Sequence, residues 1–316
     1  MATPEPASRA VDVPCVRDSP SNQTKGHGGR QLTDVEWQKL NADTALVSDF
    51  KQAKLEKEAR KNWDLFYKRN STNFFKDRHW TSREFGELAE IETKDESRSA
   101  QRILLEVGCG VGNAVFPLLE ENRQLFVYAC DFSPRAVQFV KDNSAYDPAR
   151  MSAFQCDLTS DPLRRSIPEC NVDIVTMLFV LSAIHPEKML AALKNVFDVL
   201  RPGGCVLFRD YGLYDHAMLR FNKGHKLADN FYVRQDGTRA YYFTEEYLSK
   251  LFTDVGFDVA SNEYVLRETV NKKEGLCVPR VFVQGKFIKP SQSPSRVTKL
   301  LNADEEKMVS QISADV

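Results

Sequence analysis

The sequence has no apolar run of membrane-spanning length, and its first thirty residues lack the apolar segment of a secretory signal. Net charge is nearly absent too: 43 Lys and Arg stand against 44 Asp and Glu, a formal −1. No global field draws such a chain to nucleic acid, so any basic surface must be local. The seven cysteines, Cys15, Cys109, Cys130, Cys156, Cys170, Cys205 and Cys277, never form a C-x-x-C pair. That spacing argues against a zinc site and a disulfide framework, and fits buried thiols in a reducing compartment. The expectation is a protein that binds no metal and no membrane, cytoplasmic with the nucleus as a second compartment.

What is present, 316 residues with 42% hydrophobic and 28% charged, suffices for one sizeable core and a smaller appended unit. Residues 1–30 carry Pro, Ser, Gly and Asn with little apolar clustering, and residues 290–316 are rich in Ser, Pro and charge. Both stretches bury too little to offset the entropy of ordering and are expected to be flexible tails. Residues 31–82 differ. Leu46, Phe50, Leu55, Ala59, Trp63, Phe66 and Tyr67 recur at mostly helical intervals, giving one apolar face. The opposite face is basic: nine Lys or Arg against four acids between Lys51 and Arg78. A solvated helix face laced with i, i+4 pairs explains that pattern. The interleaved Phe74, Phe75, His79 and Trp80 favour RNA instead, because cations hold phosphates while planar rings stack on bases.

The stretch Arg102-Ile103-Leu104-Leu105-Glu106-Val107-Gly108-Cys109-Gly110-Val111-Gly112-Asn113 organises the rest. Its apolar run reads as a buried strand turning directly into a helix, through glycines that let a ligand approach the main chain. Position 113 is Asn where a dinucleotide fingerprint would want its third glycine. Further strands are expected at Leu125 to Cys130, near Ala153 to Cys156, at Val172 to Val180 and at Cys205 to Arg209. Helices come between them, one capped by Ser133 with Pro134 at its first turn, another opened by His185-Pro186-Glu187 and stopped by Arg201-Pro202-Gly203-Gly204. That alternation predicts an α/β fold, a mostly parallel sheet with helices on both faces and ligands at the carboxyl ends of its strands. Residues 210–243 break the rhythm and are expected to be an insertion over the active site. A helix from Thr244 to about Val255 and two late strands, near Phe257 to Leu266 and Arg280 to Ile288, complete the domain.

The strand ends form a set. The first ends in Gly108 and Gly110, the second in Asp131, the third in Asp157-Leu158. A carboxylate after the second strand can accept both hydroxyls of a ribose, and one after the third can accept the exocyclic amine of adenine. Either acid alone could be a helix cap. Together they describe an adenosine-bearing cofactor.

Glu106-Val107-Gly108-Cys109-Gly110-Val111-Gly112, Asp131, Asp157-Leu158 and the Arg201-Pro202-Gly203-Gly204 turn resemble the S-adenosylmethionine-dependent methyltransferases of the Rossmann-like class I fold. The resemblance covers roughly residues 100 to 290 and implies a seven-stranded sheet with its last strand inserted antiparallel, within a methyltransferase domain expected over residues 83–289. A narrower resemblance rests on Asn62-Trp63-Asp64-Leu65-Phe66-Tyr67-Lys68, Asn73-Phe74-Phe75-Lys76-Asp77-Arg78-His79-Trp80, Ala129-Cys130-Asp131-Phe132-Ser133-Pro134-Arg135-Ala136, Phe208-Arg209-Asp210-Tyr211-Gly212 and Asn230-Phe231-Tyr232-Val233-Arg234-Gln235-Asp236-Gly237-Thr238. These stretches look like the methyltransferase-like tRNA enzymes that make 3-methylcytidine in the anticodon loop. The family implies S-adenosylmethionine as cofactor, S-adenosylhomocysteine as product, serine tRNA as substrate and seryl-tRNA synthetase as partner. At matching positions it implies that Trp63, Tyr67, Gly108, Asp131, Asp157, Leu158 and Leu178 contact the cofactor.

The residues can be tested against that chemistry. Methylation of an exocyclic base amine commonly uses an Asn-or-Asp-Pro-Pro-aromatic tetrad after the fourth strand, where this chain reads Leu178-Phe179-Val180-Leu181-Ser182. Methylation at pyrimidine carbon needs a cysteine nucleophile at that tip, and Cys170 precedes the strand. A ring nitrogen such as cytosine N3 has its lone pair free and needs only in-line placement. Asp210, at the tip of the fifth strand, is the candidate catalytic carboxylate, facing the cytosine amine as the base gains positive charge; a turn cap is the alternative. Phe74 is expected to stack on the extruded base, with Arg78 and His216 bracketing it. His79 could line the same pocket, and His185 belongs to a helix start. Lys272, Lys273, Arg280, Lys286 and Lys289 either extend a basic track for tRNA or merely solubilise an edge. A small-molecule or protein methyltransferase on the same fold, and a non-catalytic adaptor for tRNA or a synthetase, are the rival readings.

Overall fold

The computed structural model describes residues 23–90, 101–167, 169, 171–271 and 276–291. Cys15, Cys170, Lys272, Lys273, the connector at 91–100 and most of both expected tails lie outside the described residues. One eight-stranded sheet forms the centre. Its strands are β1 (Gln23–Gly26), β2 (Arg102–Val107), β3 (Leu125–Asp131), β4 (Met151–Gln155), β5 (Val172–Leu178), β6 (Leu200–Tyr211), β10 (Asp258–Asn271) and β11 (Leu276–Ile288), in the order β1-β10-β11-β6-β5-β2-β3-β4. A second sheet of β7 (Lys226–Ala228), β8 (Phe231–Val233) and β9 (Arg239–Tyr241) lies in the insertion.

The five strands β2 to β6 pair in parallel, whereas β11 runs antiparallel to both of its neighbours, β6 and β10. Seven of the eight strands are those expected. The eighth, β1, falls inside the stretch expected to be tail: it pairs with β10, and its Gln23 side chain bridges Glu84 and Arg209. Four polar or small residues with no apolar alternation gave no strand signal, because backbone bonds to an edge hold them.

The two-residue period of β2 divides the core. Leu105 and Val107 join Val175, Met177 and Phe208 against α7 (Pro186–Val199) and α9 (Glu245–Val255). Leu104 turns the other way, packing with Leu118 of α5 (Val115–Glu121) and Val137 and Val140 of α6 (Pro134–Lys141). Each fully buried Leu contributes roughly 1.5–3 kcal/mol, which is why both faces carry helices. Helix starts follow the local chemistry: the Ser133 hydroxyl accepts from Ala136 N–H at 3.3 Å ahead of Pro134, and Thr244 accepts from Tyr247 N–H at 3.1 Å.

The N-terminal segment folds as α1 (Asp34–Asn41), α2 (Asp49–Lys57), α3 (Ala59–Asn70) and the short α4 (Thr81–Glu84), and the insertion adds α8 (His216–Leu219). These two parts interlock. Val47 N–H donates to Lys226 O at 2.8 Å and the Asn62 amide to Gly237 O at 3.2 Å. Asp64 accepts from the Ser133 hydroxyl at 2.9 Å, docking α3 on the junction between β3 and α6. No helix among the described residues is long and apolar enough to cross a membrane.

Candidate active site

Strand order reverses between β2 and β5, the place where parallel α/β sheets leave a crevice at their carboxyl ends. A cavity of about 270 Å3 opens there, walled by Gly108 after β2, Asp131 and Phe132 after β3, Cys156 to Thr159 after β4, and Phe179 and Val180 after β5. Gly108 has φ +60°, and a Cβ on it would lie 2.5 Å from a Val180 methyl. Gly110, at φ +54°, lies under the Tyr67 hydroxyl, 3.1 Å from where its Cβ would be. Side chains at either glycine would fill the cradle.

Asp131 is held from behind. Gly110 N–H donates to Oδ2 at 3.0 Å and Ser133 N–H to Oδ1 at 2.9 Å. Burial nevertheless outweighs these donors and pushes its pKa up to about 6. Glu106 goes further, to about 8, through desolvation, with the Asp131 charge adding to it and Arg78 opposing. Its Oε2 is buried without a hydrogen-bond partner. At the end of β4, Asp157 Oδ1 accepts from Thr159 N–H at 2.9 Å and from its hydroxyl at 2.8 Å.

The α2–α3 segment covers the cavity, adding Lys57, Arg60, Trp63 and Tyr67 to its wall. Glu56 fixes this cover, pairing with Lys188 of α7 at 2.5 Å and with the Arg239 guanidinium of β9. Desolvation opposes ionisation of Glu56, but those two cations hold its pKa below the ordinary value. Neither partner was evident from the sequence, since both lie more than a hundred positions away. His185 also faces the cavity, while its ring caps α7 by accepting from Glu187 N–H at 3.4 Å.

The expected cofactor residues Trp63, Tyr67, Gly108, Asp131, Asp157 and Leu158 meet on this one wall. Gly110 lies behind it, bonded to Asp131, and Leu178 is buried, its carbonyl accepting from the Arg78 guanidinium at 3.1 Å. An orphaned carboxyl oxygen below the loop, a cradle open at two glycines and acids after β3 and β4 suit an adenosine-bearing ligand.

The expected substrate residues are less gathered. Arg78 is anchored on Leu178 with its guanidinium 5.2 Å from the centroid of the Phe179 ring, and its backbone N–H donates to Asn113 O at 2.7 Å. Asn113 itself donates to Phe75 O at 3.2 Å and Asp77 Oδ1 at 3.0 Å. The residue in place of a third glycine therefore ties the aromatic arm to the cofactor loop. Phe74 stands at the surface on Phe66 and Phe75, outside the cavity wall. His216 opens α8, where burial and Arg220 lower its pKa, among Asp215, Arg280 and Arg30. Asp210 is fully buried behind the wall: Oδ2 accepts from Ser182 N–H and Oδ1 from Tyr211 N–H, both at 2.9 Å. Burial raises its pKa to about 6.

His79 sits at the surface against Glu121 at 3.3 Å. Of the described late basic residues, Arg280 pairs with the buried Asp215 at 2.9 Å, the half-exposed Lys286 with Glu87 at 2.5 Å, and Lys289 donates to the carbonyls of Phe197 and Leu200.

Sheet order, antiparallel insertion and glycine cradle define the class I fold of S-adenosylmethionine-dependent methyltransferases. A methyltransferase-domain family model matches residues 105–206. Among solved structures, an S-adenosylmethionine-dependent methyltransferase from Anabaena variabilis superposes with a TM-score of 0.53 at 16% identity, covering 73% of this chain and 94% of its own. The 1,6-didemethyltoxoflavin-N1-methyltransferase of Burkholderia thailandensis, solved with S-adenosylhomocysteine, gives 0.50 at 16% identity over 78% and 93% of the two chains. The human tRNA N(3)-cytidine methyltransferase METTL6 is 61% identical over 88% of this chain and 96% of its own, and the mouse protein 63% identical over 87% and 96%. METTL2 of Xenopus tropicalis, also a tRNA N(3)-cytidine methyltransferase by name, is 42% identical over 77% and 81%. The chain belongs to the family of tRNA N(3)-cytidine methyltransferases.

Proposed function

We propose that this chain methylates N3 of a cytidine in the anticodon loop of tRNA, with serine tRNA as acceptor and seryl-tRNA synthetase as partner. One observation carries the reading: the strand-tip residues of β2 to β5 and the basic, aromatic α2–α3 segment close a single cavity. S-adenosylmethionine, when bound, supplies an electrophilic methyl group and leaves as S-adenosylhomocysteine. Asp131 takes the ribose hydroxyls, Asp157 the adenine amine, and Trp63, Tyr67 and Leu158 the apolar faces. Gly108 admits the ligand to the main chain, Gly110 serves the site from behind by holding Asp131, and Leu178 backs it through Arg78.

Cytosine N3 presents its lone pair at neutral pH, so no residue has to remove a proton from it. The work left to the protein is to orient the base and exclude water. Asp210 is a fixed negative charge beneath the cavity, preorganised by Ser182 and Tyr211, that favours a base acquiring positive charge. Phe74 and the exposed Lys51, Lys54, Lys57, Arg60 and Lys61 offer rings and cations at the outer edge for the loop and its phosphates. His216 stands further out, on the insertion. The test is methyl transfer from labelled cofactor to total tRNA, with and without seryl-tRNA synthetase, read by nucleoside mass spectrometry. Labelled 3-methylcytidine is expected, increased by the synthetase. No labelled nucleoside in either mixture, with cofactor binding measured separately, refutes the reading.

A further inference from the structure

Four described residues other than glycine have positive φ: Ser71, Phe179, Tyr214 and Asn230. Only Phe179 of these lines the cavity. At φ +61° its Cβ crowds its own backbone, a conformation that glycine or asparagine adopts at far lower cost. A bulky ring persists there only if its surroundings over-determine it, and such strain collects at functional sites.

The surroundings do over-determine it. Phe179 N–H donates to Arg209 O at 2.8 Å, which fixes the backbone beyond the end of β5. Arg78, anchored on the neighbouring Leu178 carbonyl, holds its guanidinium 5.2 Å from the ring centroid. Tyr211 and Phe282 meet the ring at centroid distances of 5.3 Å and 5.6 Å, tilted by 49° and 78°. These contacts fix the plane of the ring as well as its place. The next residue, Val180, packs into the cradle over Gly108. Two consecutive residues thus join the cofactor loop to an oriented aromatic wall.

We propose that Phe179 is the platform on which the target base lies during methyl transfer, making it a specificity-determining residue for a flat pyrimidine. The inference rests on the tRNA reaction proposed above. An extruded base loses its stacking partners, and an aromatic face restores them without reading a particular edge. A platform set one residue from the cofactor loop also controls the height of N3 relative to the methyl group. Transfer is sensitive to that height, since displacement by about 1 Å can cost about a hundredfold in rate. Arg78 then acts as a positioning residue, through the ring it holds.

The experiment compares the unsubstituted chain with Phe179→Leu and Phe179→Tyr. Three readouts are taken: affinity for S-adenosylhomocysteine, 3-methylcytidine formation on serine tRNA with seryl-tRNA synthetase present, and quenching of pyrrolo-cytidine placed at the target position of that tRNA. Phe179→Leu is expected to keep cofactor affinity, lose the quench and fall about tenfold to a hundredfold in kcat/KM, the range that one stacked base supplies. Phe179→Tyr, which restores a ring, should keep all three. If Phe179→Leu does not fold, Phe179→Met takes its place. Unchanged quench and transfer in the aliphatic variant overturn the inference, and so does a fall in cofactor affinity matching the fall in transfer. No product from the unsubstituted chain overturns the proposed function itself, a result that cannot be confused with failure of the variants alone.

Discussion

The strongest quantitative expectation concerns Asp131 and pH. A carboxylate that accepts two ribose hydroxyls must be ionised, and burial raises this group from 3.8 to about 6 against the N–H donors of Ser133, Gly110 and Phe132. Cofactor affinity should therefore be complete above about pH 7 and fall as pH drops through 6. At pH 5 roughly one molecule in ten carries the charge, so Kd rises about tenfold, or about 1.4 kcal/mol. Three buried neighbours titrate above that window: Glu106 is raised to about 8, and Tyr67 and Cys109 are shifted well above their ordinary values. Asp210 titrates within it, also being raised to about 6, so a second variant must separate the two. Isothermal titration with S-adenosylhomocysteine from pH 5 to 7 should give the sloped profile for the unsubstituted chain and for Asp210→Asn, and a flat, weak one for Asp131→Asn. A flat profile in the unsubstituted chain, or a slope that survives Asp131→Asn, would refute the reasoning. Stability of the ligand-free chain runs by the same linkage. The folded state holds a proton on Asp131 between pH 4 and 6 that the unfolded state has lost, so stability falls as pH rises through that window, by up to about 3 kcal/mol.

Gly108→Ala adds a Cβ at φ +60° against Val180, so it should lower stability by at least about 1–2 kcal/mol and weaken cofactor binding. Combining it with Val180→Ala should cost less than the sum of the two single changes, and additive losses in denaturant melts would mean the clash is not the cause. Glu56→Ala strands the buried Arg239 guanidinium and frees Lys188; a loss of about 1–3 kcal/mol, between surface and fully buried pairs, is expected in thermal unfolding, and an unchanged melt counts against the latch. Replacing Lys51, Lys54 and Lys61 by Ala removes three exposed cations outside the cavity wall, so the slope of log K for tRNA against log salt should shrink by about 2 with cofactor affinity intact. An unchanged slope would make those residues an ordinary solvated face.

Local chemistry made much of this protein legible. The apolar run of β2, the Ser133-Pro134 helix start and the glycine cradle are written in a few consecutive residues, and the structure carries each of them. Edge strand β1 was not legible because its four residues contribute backbone bonds rather than buried area. Nor were the roles of Glu56 and Asn113, which depend on partners distant in sequence.

Asp131 and Asp210 show where a positional rule stops. Both are acids at the ends of strands, both are buried, and burial raises both to about 6. Asp131 reaches the cavity because its bonds to Gly110 and Ser133 hold it from behind. Asp210 is turned onto the N–H of Ser182, in the turn after β5, and stays behind the wall. A strand end specifies a depth in the sheet, whereas the side on which a carboxylate emerges is set by which backbone donors lie within reach. One donor of each pair is local, Ser133 for Asp131 and Tyr211 for Asp210, and the other lies 21 residues away for Asp131 and 28 for Asp210. Asp131 falls beside the glycine loop because it bonds to Gly110 of that loop, whereas Asp210 is turned by a donor on the turn after β5, which no motif spans.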